Sequence, residues 1–133
     1  MIKRVMDGST LIAIVGSLQD VEYGTNFVTE PELPMQLGII RVDEGKIQNH
    51  IHKVQDWTMK SIANEFHIVI TGKVFVSLFN NSKILVSKIM LVPGMFCMLF
   101  NGGHGYDIVE DDTIIIEVKN GFYKDSETDK EKF

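Results

Sequence analysis

The chain contains four histidines, all between residues 50 and 104, and histidine is the commonest metal ligand and acid–base group near neutral pH. His50 and His52 are two positions apart, so in an extended strand they share one face while Ile51 points to the other. Their imidazoles would lie about 6–7 Å apart and could converge on one ion, since metal–nitrogen bonds are about 2.0–2.1 Å long. Such a pair also occurs by chance on exposed strands, so the spacing alone does not decide whether the two histidines bind a metal.

A second segment repeats this arrangement with a carboxylate. Glu65 and His67 share a strand face with Val69, and a carboxylate on a face that becomes apolar is costly to bury without a partner. A metal ion would supply that partner, although His67 by itself is more often a packed or hydrogen-bonded core histidine. His104 lies in the glycine-rich segment 101–105, where the backbone can bend and approach closely; alone, it is more often a turn residue than a ligand.

The elements that would hold these residues are strands. The 133-residue chain has 16 Ile and 13 Val but only 2 Ala, and β-branched residues favour sheets whereas alanine favours helices. Short apolar runs alternate with turn residues, which is typical of an antiparallel sandwich or barrel. The predicted strands cover residues 11–15, 26–29, 36–42, 46–53, 65–71, 73–79, 84–91, 95–100, a short stretch from 104, and 113–119.

Several classes of protein are excluded by the same composition. No apolar stretch approaches the about 20 residues of a membrane helix, and residues 11–15 are too short for the core of a signal peptide. A net charge of −5 argues against binding to nucleic acids or anionic membranes. The single cysteine, Cys97, lies in the apolar run 95–100 and is interpreted as a packed hydrophobe. We therefore expect one cytoplasmic, β-rich domain over residues 1–133.

Most of the chain, residues 36–119, resembles the cupin superfamily. His50-x-His52 followed by Glu65, six residues and Gly72 is similar to the first cupin motif, and Pro93-Gly94 followed by His104 is similar to the second. Within that superfamily, the chain resembles a group of small, mostly uncharacterised bacterial cupins that are often associated with sugar-nucleotide or surface-polysaccharide genes. The narrower resemblance is carried by residues 50–53, 72–74, 102–106, 116–123 and the acidic, lysine-containing tail 129–133.

The resemblance implies an all-β fold of the cupin type, an antiparallel β-barrel or jelly roll (double-stranded β-helix). Residues 36–119 would form its core, residues 1–35 an N-terminal β-segment and residues 124–133 a polar tail.

The resemblance also implies a metal site. Its ligands would be His50, His52, Glu65 and His104, and such a donor set suits a divalent Fe, Mn, Ni or Zn ion without selecting one. If Glu65 is not a ligand, His67 on the same face would replace it. The spacer from His52 to Glu65 is twelve residues, where the cupin motif has three or four.

Other residues are candidates for contact with a ligand. The long spacer implies a loop beside the site, in which Trp57 is either a wall or lid residue or a packed indole. Tyr106 is two residues after His104, so its hydroxyl could bind a ligand or act as an acid, with His67 as the second candidate catalytic group. Arg41 could bind a carboxylate or phosphate, although a surface cation on an edge strand is the commoner role. Glu117 could line the cavity or face solvent.

The expected function is that of a metal-binding cupin that binds or converts a small polar molecule, such as a sugar or sugar-nucleotide derivative. An isomerase, epimerase or oxygenase activity remains open, as does a non-catalytic binding or sensing role. A metal-free deoxysugar isomerase would use the histidines as acid and base. The apolar strand face formed by Phe66, Ile68 and Ile70 would need a cover, which is either the N-terminal segment or a second subunit. Of the two, we favour a homodimer.

Overall fold

The computed structural model describes residues 2–54, 56, 58, 60, 62–121 and 130–133. This part of the chain is all-β, with antiparallel sheets and one short 3-10 turn at Leu18–Asp20. Its strands are, in chain order, β1 (Lys3–Asp7), β2 (Thr10–Ser17), β3 (Gly24–Phe27), β4 (Gly38–Arg41), β5 (Glu65–Thr71), β6 (Val74–Phe79), β7 (Leu85–Leu91), β8 (Met95–Leu99), β9 (Gly103–Ile108) and β10 (Ile114–Lys119). None of the helical structure in these residues has the length and apolarity that a membrane span requires.

The chain divides into two compact units. The first unit comprises Met1–Asp20 and Ile62–Phe133. It holds a five-stranded sheet in the order β1-β2-β8-β5-β10 and a three-stranded sheet in the order β7-β6-β9. The second unit is Val21–Ser61, in which β3 and β4 pair with each other. All of these strand pairs are antiparallel.

The two sheets of the first unit share one hydrophobic core. Successive side chains of a strand point to opposite faces, so Val74, Val76 and Leu78 of β6 are buried while the residues between them are partly exposed. Burying one such side chain contributes about 1.5–3 kcal/mol, which strongly favours one register and one inward face for each strand. The buried members of this core are Val5, Ile12, Ala13, Val15, Val69, Val74, Val76, Leu78, Leu91, Cys97 and Leu99.

Two glycines fix the turns that lead into and out of the strands of the first unit. Gly72, between β5 and β6, has a φ of 77°, and a Cβ atom there would lie 2.1 Å from the hydroxyl of Thr113. Gly102, before β9, has a φ of 73°, and a Cβ atom there would lie 1.9 Å from the carbonyl oxygen of Phe79. Both positions therefore require glycine, for its left-handed backbone and for its lack of a side chain.

Most predicted strands agree with the observed ones to within one or two residues at their ends. The prediction for residues 46–53 is wrong: this segment forms no strand and is exposed throughout, with Ile51 95% exposed. It alternates like a strand, but among the described residues no neighbouring strand pairs with it. Strand β1 was not predicted, because Val5 is its single buried residue. The sheets in the described ranges do not close into a barrel, so the cupin-type jelly roll stays a prediction.

Candidate functional site

Strand β5 carries a glutamate and a histidine on the inward face of the five-stranded sheet. Glu65 and His67 are both buried, as their alternation with Phe66 predicts. On the neighbouring strand β10, Lys119 lies opposite Glu65, and Glu117 lies opposite His67. The antiparallel register therefore gathers four ionisable side chains on one sheet face.

Strand β9 of the three-stranded sheet adds two more polar side chains. His104 and Tyr106 share one face of β9, as their spacing predicts, and their ring centroids lie 5.5 Å and 5.3 Å from that of His67. The Nε2 atom of His104 lies 3.1 Å from Oε2 of Glu65. Both sheets of the first unit thus contribute to one group of side chains. We call it the interior polar cluster, and it consists of Glu65, His67, His104, Tyr106, Glu117 and Lys119.

Three members of this cluster can hold a metal ion. Glu65, His67 and His104 each offer a ligand atom, and these atoms lie within 4.8 Å of one another. Oε2 of Glu65 lies 3.3 Å from Nε2 of His67 and 3.1 Å from Nε2 of His104. Donor atoms about 2.0–2.1 Å from one ion, in tetrahedral or octahedral geometry, are about 2.9–3.4 Å apart. The two measured distances match the edges of such a coordination shell.

The glutamate oxygen at the centre of this group lacks a hydrogen bond. The side chain of Glu65 is 5% exposed, and Oε2 has no partner with hydrogen-bond geometry, although two imidazole nitrogens lie within ion-pair distance. A buried carboxylate oxygen without a directed partner is costly, and a bound cation is one way to remove that cost.

The electrostatic surroundings keep Glu65 negatively charged. The imidazole of His104, then that of His67 and the ammonium of Lys119, hold the pKa of Glu65 well below its ordinary value, although burial acts in the opposite direction. Nζ of Lys119 lies 2.9 Å from the other carboxylate oxygen, Oε1, and its side chain is 10% exposed. Glu65 is therefore an anion with one oxygen paired to lysine and the other directed at the two histidines.

His67 is oriented through both ring nitrogens. Nδ1 lies 2.5 Å from the hydroxyl of Tyr106, and Nε2 lies 3.0 Å from Oε2 of Glu117. The pKa of Tyr106 is raised, chiefly by burial and to a lesser degree by the nearby Cys97, Glu65 and Glu117. The phenol therefore keeps its proton. When the hydroxyl donates to Nδ1, Nε2 carries the ring proton and donates to Glu117. A metal ion on Nε2 would require the opposite tautomer, in which Nδ1 donates to the hydroxyl.

Two of the four ligands predicted from the sequence lie together in the first unit. Glu65 and His104 belong to the interior polar cluster, where His67 is the third potential ligand. His50 and His52 belong to the second unit, where they are exposed, lie outside any strand and have ring centroids 5.1 Å apart. Their predicted common strand face does not form, and their role as ligands stays a prediction.

The other predicted site residues also differ in their placement. Arg41, in the second unit, donates a hydrogen bond to the carbonyl oxygen of Val21 at 2.6 Å, and its guanidinium lies 4.6 Å from the ring centroid of Tyr23. Both contacts lie within its own unit, and its predicted contact with a ligand stays a prediction. Trp57 lies outside the described residues. Lys119 was not singled out from the sequence, although its parity with Glu117 would have placed the two on one face.

A comparison of this chain with protein-family models, curated proteins and solved structures finds no match. Over the described residues, fold and site together define an all-β protein with a Glu/His/His cluster, two members of which are buried, that can hold a metal ion.

Proposed function

We propose that the chain binds a divalent metal ion through Glu65, His67 and His104 and presents it to a small polar molecule. The observation that carries the proposal is Oε2 of Glu65, which is buried, makes no hydrogen bond and lies 3.1–3.3 Å from two imidazole nitrogens. Two imidazoles and one carboxylate form a donor set that proteins use for zinc and for non-haem iron. Three protein ligands leave at least one coordination position for water or an incoming molecule.

Access from solvent supports the idea of an incoming ligand. Glu65 and His67 are almost fully buried, whereas the side chain of His104 is 27% exposed and that of Glu117 is 47% exposed. The cluster therefore has a buried end and an open end. A bound metal would supply a Lewis acid for a hydroxyl, carbonyl or carboxylate group. A sugar derivative, the class implied by the cupin resemblance, carries such groups.

The residues around the metal ligands have separate tasks in this proposal. Tyr106 holds His67 in one orientation through Nδ1, which fixes the nitrogen that faces Glu65. Lys119 keeps Oε1 of Glu65 occupied, so Oε2 is the oxygen left for the ion. Glu117, at the open end, would give up its contact with Nε2 of His67 when the ion binds and could then accept a hydrogen bond from the ligand.

Elemental analysis of protein purified without a histidine tag tests the proposal. We expect about one divalent ion per chain after dialysis, or binding at about that ratio when metal-free protein is titrated with Zn²⁺, Mn²⁺, Ni²⁺ or Co²⁺. Absence of binding by all four ions would refute it.

Two matched variants identify the ligands. His104→Asn removes a partly exposed member of the proposed set, so the fold should survive while metal binding is lost. The double variant His50→Asn, His52→Asn removes the exposed pair of the second unit and should leave binding unchanged. If the double variant loses the metal and His104→Asn keeps it, the ligand set proposed from the geometry is wrong.

A second candidate function needs no metal. His67 contacts both the Tyr106 hydroxyl and the Glu117 carboxylate, which is an arrangement suited to proton transfer in an isomerase. Activity that is insensitive to chelators and lost in His67→Gln would favour it. A non-catalytic binding module would instead bind the ligand, with or without metal, and convert nothing.

A further inference from the structure

Strand β9 carries two members of the interior polar cluster and, among the residues that the structure describes, pairs with β6 alone. The sheet order is β7-β6-β9, so β9 is an edge strand, whereas β5 lies between β8 and β10. Edge strands and strand ends are the parts of a sheet that open most readily. His104 is the second residue of β9 and is therefore the ligand whose position depends most on how the start of this strand is held.

The first residue of β9 contributes no side chain to the outer face of its sheet, which leaves a gap in the side-chain packing there. Gly103, its first residue, pairs with Phe79 of β6, and glycine offers no side chain to its cross-strand partner. The next pair along the ladder is Leu78 with His104, whose side chains point inward. A residue that covers Gly103 and Phe79 from outside would thus brace the backbone immediately before His104.

Phe133 fills this gap. Its ring packs edge-to-face on Phe79, with centroids 5.1 Å apart, and a Cβ atom on Gly103 would lie 3.0 Å from two of its ring carbons. An aromatic ring laid over a glycine in a sheet replaces the missing cross-strand contact. Here the ring comes from a segment distant from the β6–β9 pair in the sequence.

Lys83 holds the segment that carries Phe133. Its ammonium lies 2.6 Å from Oε1 of Glu131 and 5.6 Å from the centroid of the Phe133 ring. Lys83 also has a φ of 64°, a left-handed conformation that glycine or asparagine adopts more easily. From this turn position the ammonium of Lys83 contacts both Glu131 and the ring of Phe133.

We propose that Phe133 and Lys83 form a clasp that positions His104 by bracing the first residue pair of the β6–β9 ladder. Both are positioning residues, because neither touches the interior polar cluster. The expected consequence for metal binding rests on the proposed function, whereas the bracing of β9 does not.

Three variants test the clasp. Phe133→Ala removes the ring, and Phe133→Tyr keeps it. Lys83→Asn removes the ammonium but suits the left-handed turn, so it should not lower the melting temperature. Lys73→Asn is the control. It removes an equally short ion pair, 2.6 Å from Glu110, through a lysine of similar exposure (44% against 46%) that lies away from the start of β9.

Two measurements separate the clasp from the metal site. The first is hydrogen exchange of the backbone amides in Gly103–Ile108, followed on metal-free protein. Exchange should be faster in Phe133→Ala and Lys83→Asn than in the unsubstituted protein. Phe133→Tyr and Lys73→Asn should exchange at the rate of the unsubstituted protein. The second is the affinity for Zn²⁺, which should fall about three- to tenfold in Phe133→Ala and Lys83→Asn, the effect of losing one aromatic or cation–π contact of ordinary strength.

Each outcome decides one of the two proposals. Unchanged hydrogen exchange in both Phe133→Ala and Lys83→Asn would overturn the clasp, whether or not the affinity for Zn²⁺ changes. Faster exchange with unchanged Zn²⁺ affinity would overturn the positioning of His104. Faster exchange in a protein that binds no metal at all would support the bracing of β9 and would count against the proposed function alone.

Discussion

Replacing the lysine of the interior polar cluster should destabilise the protein strongly. In Lys119→Met, Glu65 keeps its negative charge and loses the ammonium that lies 2.9 Å from Oε1. Both side chains are at most 10% exposed, so water cannot take over the role of the ammonium without a local opening of the structure. The variant therefore leaves a buried charge without its cationic partner.

The size of this effect follows from the distance and the burial. Two unit charges 2.9 Å apart attract each other by about 6 kcal/mol at an effective dielectric constant of about 20. Part of that attraction offsets the cost of burying the ammonium, a cost that the methionine no longer has. Breaking a buried pair from one side costs about 3–5 kcal/mol. For a chain of 133 residues, 3 kcal/mol corresponds to a fall in Tm of about 10 °C.

Urea denaturation and calorimetry of the metal-free protein measure the loss. Lys73→Met is the matched control, since its pair with Glu110 is about 45% exposed on both sides and should contribute less than about 1 kcal/mol. Adding Glu65→Gln to Lys119→Met should recover much of the loss, because the uncompensated charge is gone. A loss for Lys119→Met that is no larger than that for Lys73→Met would refute the reasoning.

Three further measurements probe the core, the site and the assembly. Tyr106→Phe leaves Nδ1 of His67 without its partner and should weaken metal binding about tenfold, as isothermal titration would show. Burial raises the pKa of the Cys97 thiol from 9.0 to about 12, so only the unfolded chain ionises between these values and stability falls as the pH rises through them. The unfolding free energy should therefore drop by about 1.4 kcal/mol per pH unit more in the original protein than in Cys97→Ala above about pH 9. Light scattering should give the mass of a dimer, because Ile70 and Ile116 are exposed apolar residues on neighbouring strands, β5 and β10; a monomer at micromolar concentration would contradict this expectation.

The sequence predicts the strands of the first unit well, because alternation reports which side chains a strand buries. In β5, the pattern from Glu65 onward gives both the bounds and the inward face correctly, and Gly72 marks its end. The same pattern places His104 and Tyr106 on one face of β9. These features are local, and each depends on a few consecutive residues.

What alternation cannot give is which strands become neighbours. The meeting of Lys119 with Glu65 and of Glu117 with His67 depends on the register between β10 and β5, which are far apart in the chain. The pair His50 and His52 shows a second limit of alternation, which here predicts a strand that does not form. Its spacing fits a strand, but a strand also needs a partner for its backbone, and the segment around it has none among the described residues.

The antiparallel register also determines where the protein can be modified. Glu65 begins β5, Lys119 ends β10 and Leu99 ends β8, so these residues lie at one end of the five-stranded sheet. The turn at Gly94 and the segment 110–113 lie at the opposite end of the same sheet. A fluorophore, an affinity handle or a surface linker attached there would leave the cluster accessible, which makes those turns the natural anchoring points for immobilised binding assays.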